Sequence, residues 1–229
     1  MNSDIYAFIF ARGGSKGLKN KNILNLGNKP LIAHSIEIAK ELKEVKRIFV
    51  STDSKEIASI GNKYGAEIII RPDELATDKS SEWLSWQHAI SLVENKYGKF
   101  ENFLSLPPTS PLRSLEDIKG CIKALTNDVD LVLTITKSRR SPWFNMVINN
   151  NDNYLKLIIE NMNIKRRQDA PEVFDICTAA YYAKTSFILN SNSIWEGIIR
   201  GFEIPLERSI DIDNKYDFDI ATYLHNKQT

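Results

Sequence analysis

The chain has 229 residues, 42% of them hydrophobic and 26% charged. That is enough apolar material for a sizeable core, and the length fits one domain with an appendage. Thirty basic residues against twenty-nine acidic ones leave a formal charge of +1, so no bulk basic field exists to gather nucleic acid, and any anion site must be local.

The first predicted element is the apolar run "IYAFIF" at residues 5–10, continuous enough to be a strand covered on both faces. It runs into "ARGGSKGLKNKN", residues 11–22. Three glycines there allow positive φ and bare backbone amides, and Arg12, Lys16, Lys19 and Lys21 add positive charge. The combination suits a polyphosphate. It is neither a GK[ST] nor a GxGxxG loop, because the glycines stand at 13, 14 and 17.

"KPLIAHSIEIAKEL" then reads as a helix with Pro30 near its first turn, and "SKEIASIGNKY" as one capped by Ser54. "SSEWLSWQHAISLVENKY" and "SLEDIKGCIKAL" carry caps of the same kind. Between them lie the strand-like runs "RIFVS", "AEIII", "NFLSL" and "DLVLTIT". Alternation of this kind predicts βαβ units and a mainly parallel sheet, whose ligands collect at the carboxyl ends of the strands.

Near residue 137 the pattern changes to short strand-like pieces around an Asn-rich turn. Residues 138–190 are therefore expected to form an inserted β-rich arm within a single domain spanning 1–229. Near the C-terminus, "DID" places Asp211 and Asp213 on one side of an extended segment while Ile212 turns to the core, a spacing that lets two carboxylates share a hard cation such as Mg2+.

Two cysteines, Cys121 and Cys177, lack metal-site spacing and read as reduced thiols, Cys177 in a buried apolar role. His34, His88 and His225 are widely spaced and read as structural or exposed. No signal-like leader and no run of about 18 apolar residues is present. The expectation is a cytoplasmic protein with neither nucleic-acid nor membrane partners.

Six segments in order, "ARGGSKGLKNKN", "FVSTDSKEIA", "RPDELATDKSS", "PTSPLR", "RRQDAP" and "SIDIDNKYDFDIA", together resemble the acylneuraminate cytidylyltransferases, the CMP-nonulosonate synthetases, over essentially the whole chain. "SPWFNMV" and "RRQDAPEVFD" look more like the members that activate legionaminic acid. The resemblance implies a Rossmann-like nucleotidyltransferase sheet flanked by helices, with the arm serving a homodimer and Trp143 and Phe144 as anchors in it. It also implies transfer of CMP from CTP to the anomeric hydroxyl of a nonulosonic acid.

Carried over residue by residue, it implies that Arg12, Lys16, Lys21, Asp211 and Asp213 are catalytic, with the two aspartates holding Mg2+. CTP would meet Arg12, Gly13, Gly14, Ser15, Lys16 and Asn22 in the loop, and Arg71 and Ser81 at the base. Arg167, beside Gln168, would meet the sugar carboxylate, whose planar match is a guanidinium fork. Pro107 and Cys177 stand where many sialate enzymes have glutamine and asparagine, which removes two expected hydrogen-bonding groups on the sugar side. No residue is singled out by spacing as general base. Another 3-deoxy-ulosonic acid as acceptor, or a non-catalytic nucleotide-binding homologue, remains open at this stage.

Overall fold

A computed structural model describes residues 4–15, 17–77, 80–150, 152–160, 163–164 and 166–228. Strand β1 (Ile5–Phe10) is followed by the glycine loop, the two-residue strands β2 (Asn25–Leu26) and β3 (Lys29–Pro30), and helix α1 (Leu31–Glu41). Next come β4 (Val45–Thr52), α2 (Lys55–Lys63), β5 (Glu67–Ile70), α3 (Glu82–Tyr97), β6 (Asn102–Ser105), α4 (Leu115–Ala124) and β7 (Leu131–Lys137). A short hairpin, β8 (Val147–Asn149) with β9 (Leu155–Leu157), precedes β10 (Phe174–Lys184), α5 (Thr185–Asn190), β11 (Ile199–Glu203) and α6 (Lys215–Gln228).

The sheet has seven strands in the order β11-β7-β10-β6-β1-β4-β5. Pairs β1–β4, β1–β6, β4–β5 and β7–β11 are parallel, while β10 is antiparallel to both β6 and β7. The expected mainly parallel sheet is thus present, with one reversed strand near its middle.

Alternation along β1 explains the two cores. Ala7 and Ile9 face one side and pack with Ile36 of α1, Ile57 of α2 and Ile118 of α4. Phe8 faces the other, against Phe49, Phe103 and Trp86 of α3. Burying both faces makes the strand runs continuously apolar. The helices start where the sequence places caps: Ser54 accepts from the Ile57 N–H, and Ser114 and Asp117 form a reciprocal capping box.

The expected arm over 138–190 is shorter than its sequence pattern indicated. Residues 174–184 form β10, a full member of the main sheet, and α5 follows directly, so only the stretch from 138 to 173 leaves the sheet. Its neck is closed by the Ser138 N–H donating to the Val173 carbonyl at 3.0 Å. The apolar "TAAYYA" run fills the slot between β6 and β7, which no earlier strand supplies. Phe174 pairs with Lys137 at the end of β7, so the arm emerges at the same sheet edge as the loops that follow β1, β4, β5 and β6.

Candidate functional site

At that edge a cleft of about 420 Å³ opens between the glycine loop, the β5–α3 loop, the segment after β6 and the strap before α6. The glycine loop is fastened at several points. The Ala11 N–H continues the ladder to the Ser51 carbonyl, the Gly13 N–H donates to Asp53 Oδ1 at 2.9 Å, and Asn22 Nδ2 donates to the Arg12 carbonyl at 3.0 Å. Positive φ, expected of the glycines, is found instead at Asn20 (φ 56°) just before the 3₁₀ turn at 21–23. Gly17 is needed for a different reason: a Cβ there would lie 2.3 Å from the Asp213 carbonyl oxygen. The loop can seat against the strap only because that side chain is missing.

Arg12, Ser15, Lys21 and Asn22 line the cleft. Asn22 is buried. Gly13 and Gly14 shape the loop but do not line it, and Lys16 lies outside the described residues. Lys19 is exposed and does not line the cleft.

The strap bears out the reading of "DID" as two carboxylates on one side. Asp211 and Asp213 both line the cleft while Ile212 is fully buried with Leu26, Leu31 and Leu112, although this stretch pairs with no strand. The Ile212 N–H donates to the Thr109 carbonyl at 2.8 Å, which ties the strap to the segment after β6. Asp213 accepts from Lys21 Nζ at 2.8 Å. Asp211 Oδ1 is buried with no hydrogen-bond partner among the described residues. A buried carboxylate oxygen left so is costly unless a cation or donor completes it, and the pair with its neighbour is the donor set a hard divalent ion takes.

Arg71 also lines the cleft and is buried, with Nε donating to Ser51 Oγ at 3.2 Å and Nη2 to the Ser51 carbonyl at 2.8 Å. Burial pulls its pKa down, with Asp53 and Glu82 opposing and Arg12 adding to the fall; a guanidinium so placed stays charged. Its Cζ stands 5.6 Å from the Phe10 ring centre. Ser81, expected at the base, is exposed and is spent capping α3, accepting from the Trp83 N–H at 3.2 Å; it does not line the cleft. Ser80 and Glu82 on either side of it do, with Leu75, Thr77 and Ser85. Burial pushes the Glu82 carboxyl up, Asp211 adding to it, against the Trp86 N–H and Arg71. The carboxyl is crowded in this way although Glu82 as a whole residue is exposed, and it lines the cleft.

The segment after β6 supplies Pro107, Pro108 and Thr109, and β10 supplies Thr178, whose hydroxyl meets Ser110 Oγ at 2.7 Å. Cys177 does not face the cleft. It is buried with Ala179 and Ile204, and burial raises its thiol pKa, so the expected loss of a sugar-facing group at that position is not reproduced by the geometry. A register shift between Ile176 and Tyr181 breaks the alternation from which the facing of Cys177 would be read. Behind the cleft, buried Arg113 donates Nη1 to Ser35 Oγ at 2.8 Å and Nη2 to the Pro107 carbonyl. Burial pushes it down to about 9, which leaves it cationic at neutral pH. This clamp had no sequence signal beyond membership of "PTSPLR".

Arg167 and Gln168 stand in an exposed 3₁₀ turn of the arm, outside the cleft lining of the single chain. Arg167 Nη2 donates to the Arg139 carbonyl at 2.8 Å, and Arg166 pairs with Asp169. Among the described residues no group of three or more His, Cys, Asp or Glu could hold a metal ion, and no helix is long and apolar enough to cross a membrane.

A family model described as Cytidylyltransferase matches residues 6–138. The chain is 35% identical over 225 residues to the CMP-N,N'-diacetyllegionaminic acid synthase of Campylobacter jejuni, covering 97% of this chain and 95% of that one. It is 33% identical, with the same coverage, to the post-translational flagellin modification protein B of Campylobacter coli. Against the N-acylneuraminate cytidylyltransferase of Escherichia coli the identity is 32%, and the chain spans 54% of that relative's length. Among solved structures, CMP:2-keto-3-deoxy-manno-octonic acid synthetase complexed with CTP superposes with a TM-score of 0.73 at 17% identity, covering 99% of this chain and 100% of that one, a likeness of fold.

Proposed function

Because the chain belongs to the cytidylyltransferase family, we propose that it transfers CMP from CTP to the anomeric hydroxyl of a nonulosonic acid and releases pyrophosphate. The observation that carries this reading is one cleft lined by two unlike sets of groups, Lys21 with the Asp211–Asp213 pair and Arg71 with Phe10. The first suits a triphosphate and the second a base.

The sugar oxygen forms a bond to the α-phosphorus as the bond to the bridging oxygen breaks, and the hydroxyl proton is lost. Such a reaction needs alignment and charge neutralisation more than a covalent intermediate. Arg12, Lys16 and Lys21 hold the phosphates, with the Gly13, Gly14 and Ser15 backbone shaping the approach, and Asn22 fixes the loop through the Arg12 carbonyl. The partnerless Asp211 Oδ1 and the exposed Asp213 carboxylate fit a magnesium ion, which when bound would neutralise phosphate charge. Lys21 would then turn from Asp213 to phosphate.

Among nonulosonic acids a legionaminic-type acceptor is favoured, since Pro107 lines the cleft and carries no side-chain donor. Val147, Ile148, Tyr154 and Leu155 leave half or more of their surface exposed on the arm hairpin. That apolar face supports a homodimer in which Arg167 and Gln168 of one copy serve the carboxylate end of the other copy's cleft. On this reading the protein works in the cytoplasm, where CTP is available to it.

Pyrophosphate release is the test, measured with CTP, UTP, ATP and GTP against legionaminic, N-acetylneuraminic and 3-deoxy-octulosonic acids, with Mg2+ and with chelator. CTP- and Mg2+-dependent release with a nonulosonic acid is expected, and absence of release with every acid would overturn the reading. Light scattering should give twice the chain mass.

A further inference from the structure

Glu82 lines the cleft together with Arg71, and the phosphate chemistry has no use for it. It is the first residue of α3, where a carboxylate often serves only the helix dipole. Here Ser81 already provides the cap, and the Glu82 side chain turns back so that Oε1 accepts from Trp86 Nε1 at 3.2 Å. The charges of Arg71 and Asp211 both act on it. Phe10 and Leu75 add apolar walls to the cleft, the mixture a flat heterocycle needs.

The hydrogen-bonding capacities can be matched to a base. Two of the Arg71 nitrogens are spent on Ser51, and Nη1 has no hydrogen bond among the described residues. Ser85 Oγ is directed at the Leu75 carbonyl at 3.5 Å. A donor, Arg71 Nη1, and an acceptor, the second Glu82 oxygen, therefore remain. Cytosine offers an exocyclic amine that donates beside ring and carbonyl acceptors, whereas uracil presents a carbonyl where cytosine has the amine. A carboxyl oxygen facing that carbonyl would leave two acceptors opposed, which is the arrangement that rejects a near-isostere most strongly.

We propose that Glu82 is a specificity-determining residue that reads the base, accepting a hydrogen from the cytosine amine while Arg71 donates to the same ring. The proposal rests on the cytidylyltransferase reading and adds to it the group that excludes uridine nucleotides.

The experiment compares kcat/KM for CTP and UTP in the wild type, Glu82→Gln and Glu82→Ala. The amide keeps an acceptor for Trp86 and adds a donor for the uracil carbonyl, so E82Q should lower the CTP:UTP ratio about 10-fold or more with UTP gaining. E82A should lower the ratio through loss of CTP. A merely structural role would depress both nucleotides together and leave the ratio in place, so a ratio within about twofold of wild type in both variants would overturn the proposal. Should the wild type release no pyrophosphate at all, the functional reading fails first; calorimetric CTP and UTP binding to the same three proteins then still decides the role of Glu82.

Discussion

Replacing Gly17 by alanine tests how the loop and the strap are joined. The added Cβ would stand 2.3 Å from the Asp213 carbonyl oxygen, and reaching even the 3.0 Å limit for such contacts requires about 0.7 Å of separation. The obstacle is backbone on both sides, and Ile212 anchors the strap through its buried side chain and the Thr109 carbonyl, so the loop must yield. Its movement carries Lys21 away from Asp213 and Arg12 away from the cleft. A misplacement on the order of 1 Å can cost 10²-fold in rate; the expected loss in kcat/KM is about 10- to 100-fold, or roughly 1.4–2.7 kcal/mol of transition-state stabilisation. Gly14→Ala is the internal control, because a Cβ there meets nothing within 4 Å. Steady-state pyrophosphate release and thermal unfolding of both variants provide the assay. If G17A and G14A turn over alike, the close approach of loop and strap has no part in positioning the phosphate groups.

Asp211→Asn should lower kcat about 10²-fold or more, abolish the dependence on added Mg2+, and leave the urea midpoint little changed, since the buried Oδ1 has no hydrogen-bond partner among the described residues to lose; retained Mg2+-dependent turnover would count against the metal assignment. Asp117→Ala should destabilise by about 2–4 kcal/mol in urea unfolding, because Asp117 is 3% exposed, closes the α4 capping box and takes a two-point contact from Arg208. His34 is held below the ordinary imidazole pKa, chiefly by burial and further by Lys29 and His225, against its bond to the Leu26 carbonyl and the charge of Glu37. The unfolded chain therefore binds this proton more readily, and the stability His34 contributes is complete above about pH 6.5 and declines as pH falls through the depressed native value. His34→Gln should flatten that decline in urea midpoints, and an unchanged slope would exclude His34 as its source.

The strands and helices of the parallel half were legible because each carries its own signal, a continuous β-branched run or a Ser cap before an amphipathic stretch. That the glycine loop and the aspartate pair would meet at one cleft was legible for a similar reason: composition and a two-residue spacing say enough when the backbone is extended. What escaped was decided by tertiary partners. The "TAAYYA" run reads as a strand but does not disclose that it inserts between β6 and β7. The sequence around Ser81 shows a helix start without showing which of two adjacent side chains caps it and which enters the cleft. Cys177 faces the core because the ladder shifts register nearby, and Gly17 owes its role to the Asp213 carbonyl, 196 positions later in the numbering.

The position of β10 also sets an order of events for a chain emerging from the ribosome. With residues up to 137 made, β5, β4, β1 and β6 can pair, but β6 then presents an unfilled edge and β7 has no lateral neighbour. Closure waits for residues 174–184, after the arm has been synthesised, and β11 can dock on β7 only later still. Open strand edges of this kind template pairing with other chains, and contacts distant in sequence form slowly. A chain truncated near residue 137, although it would contain nearly all of the matched region at 6–138, should therefore aggregate rather than fold, and the nascent protein would be most in need of a chaperone in the interval before β10 arrives.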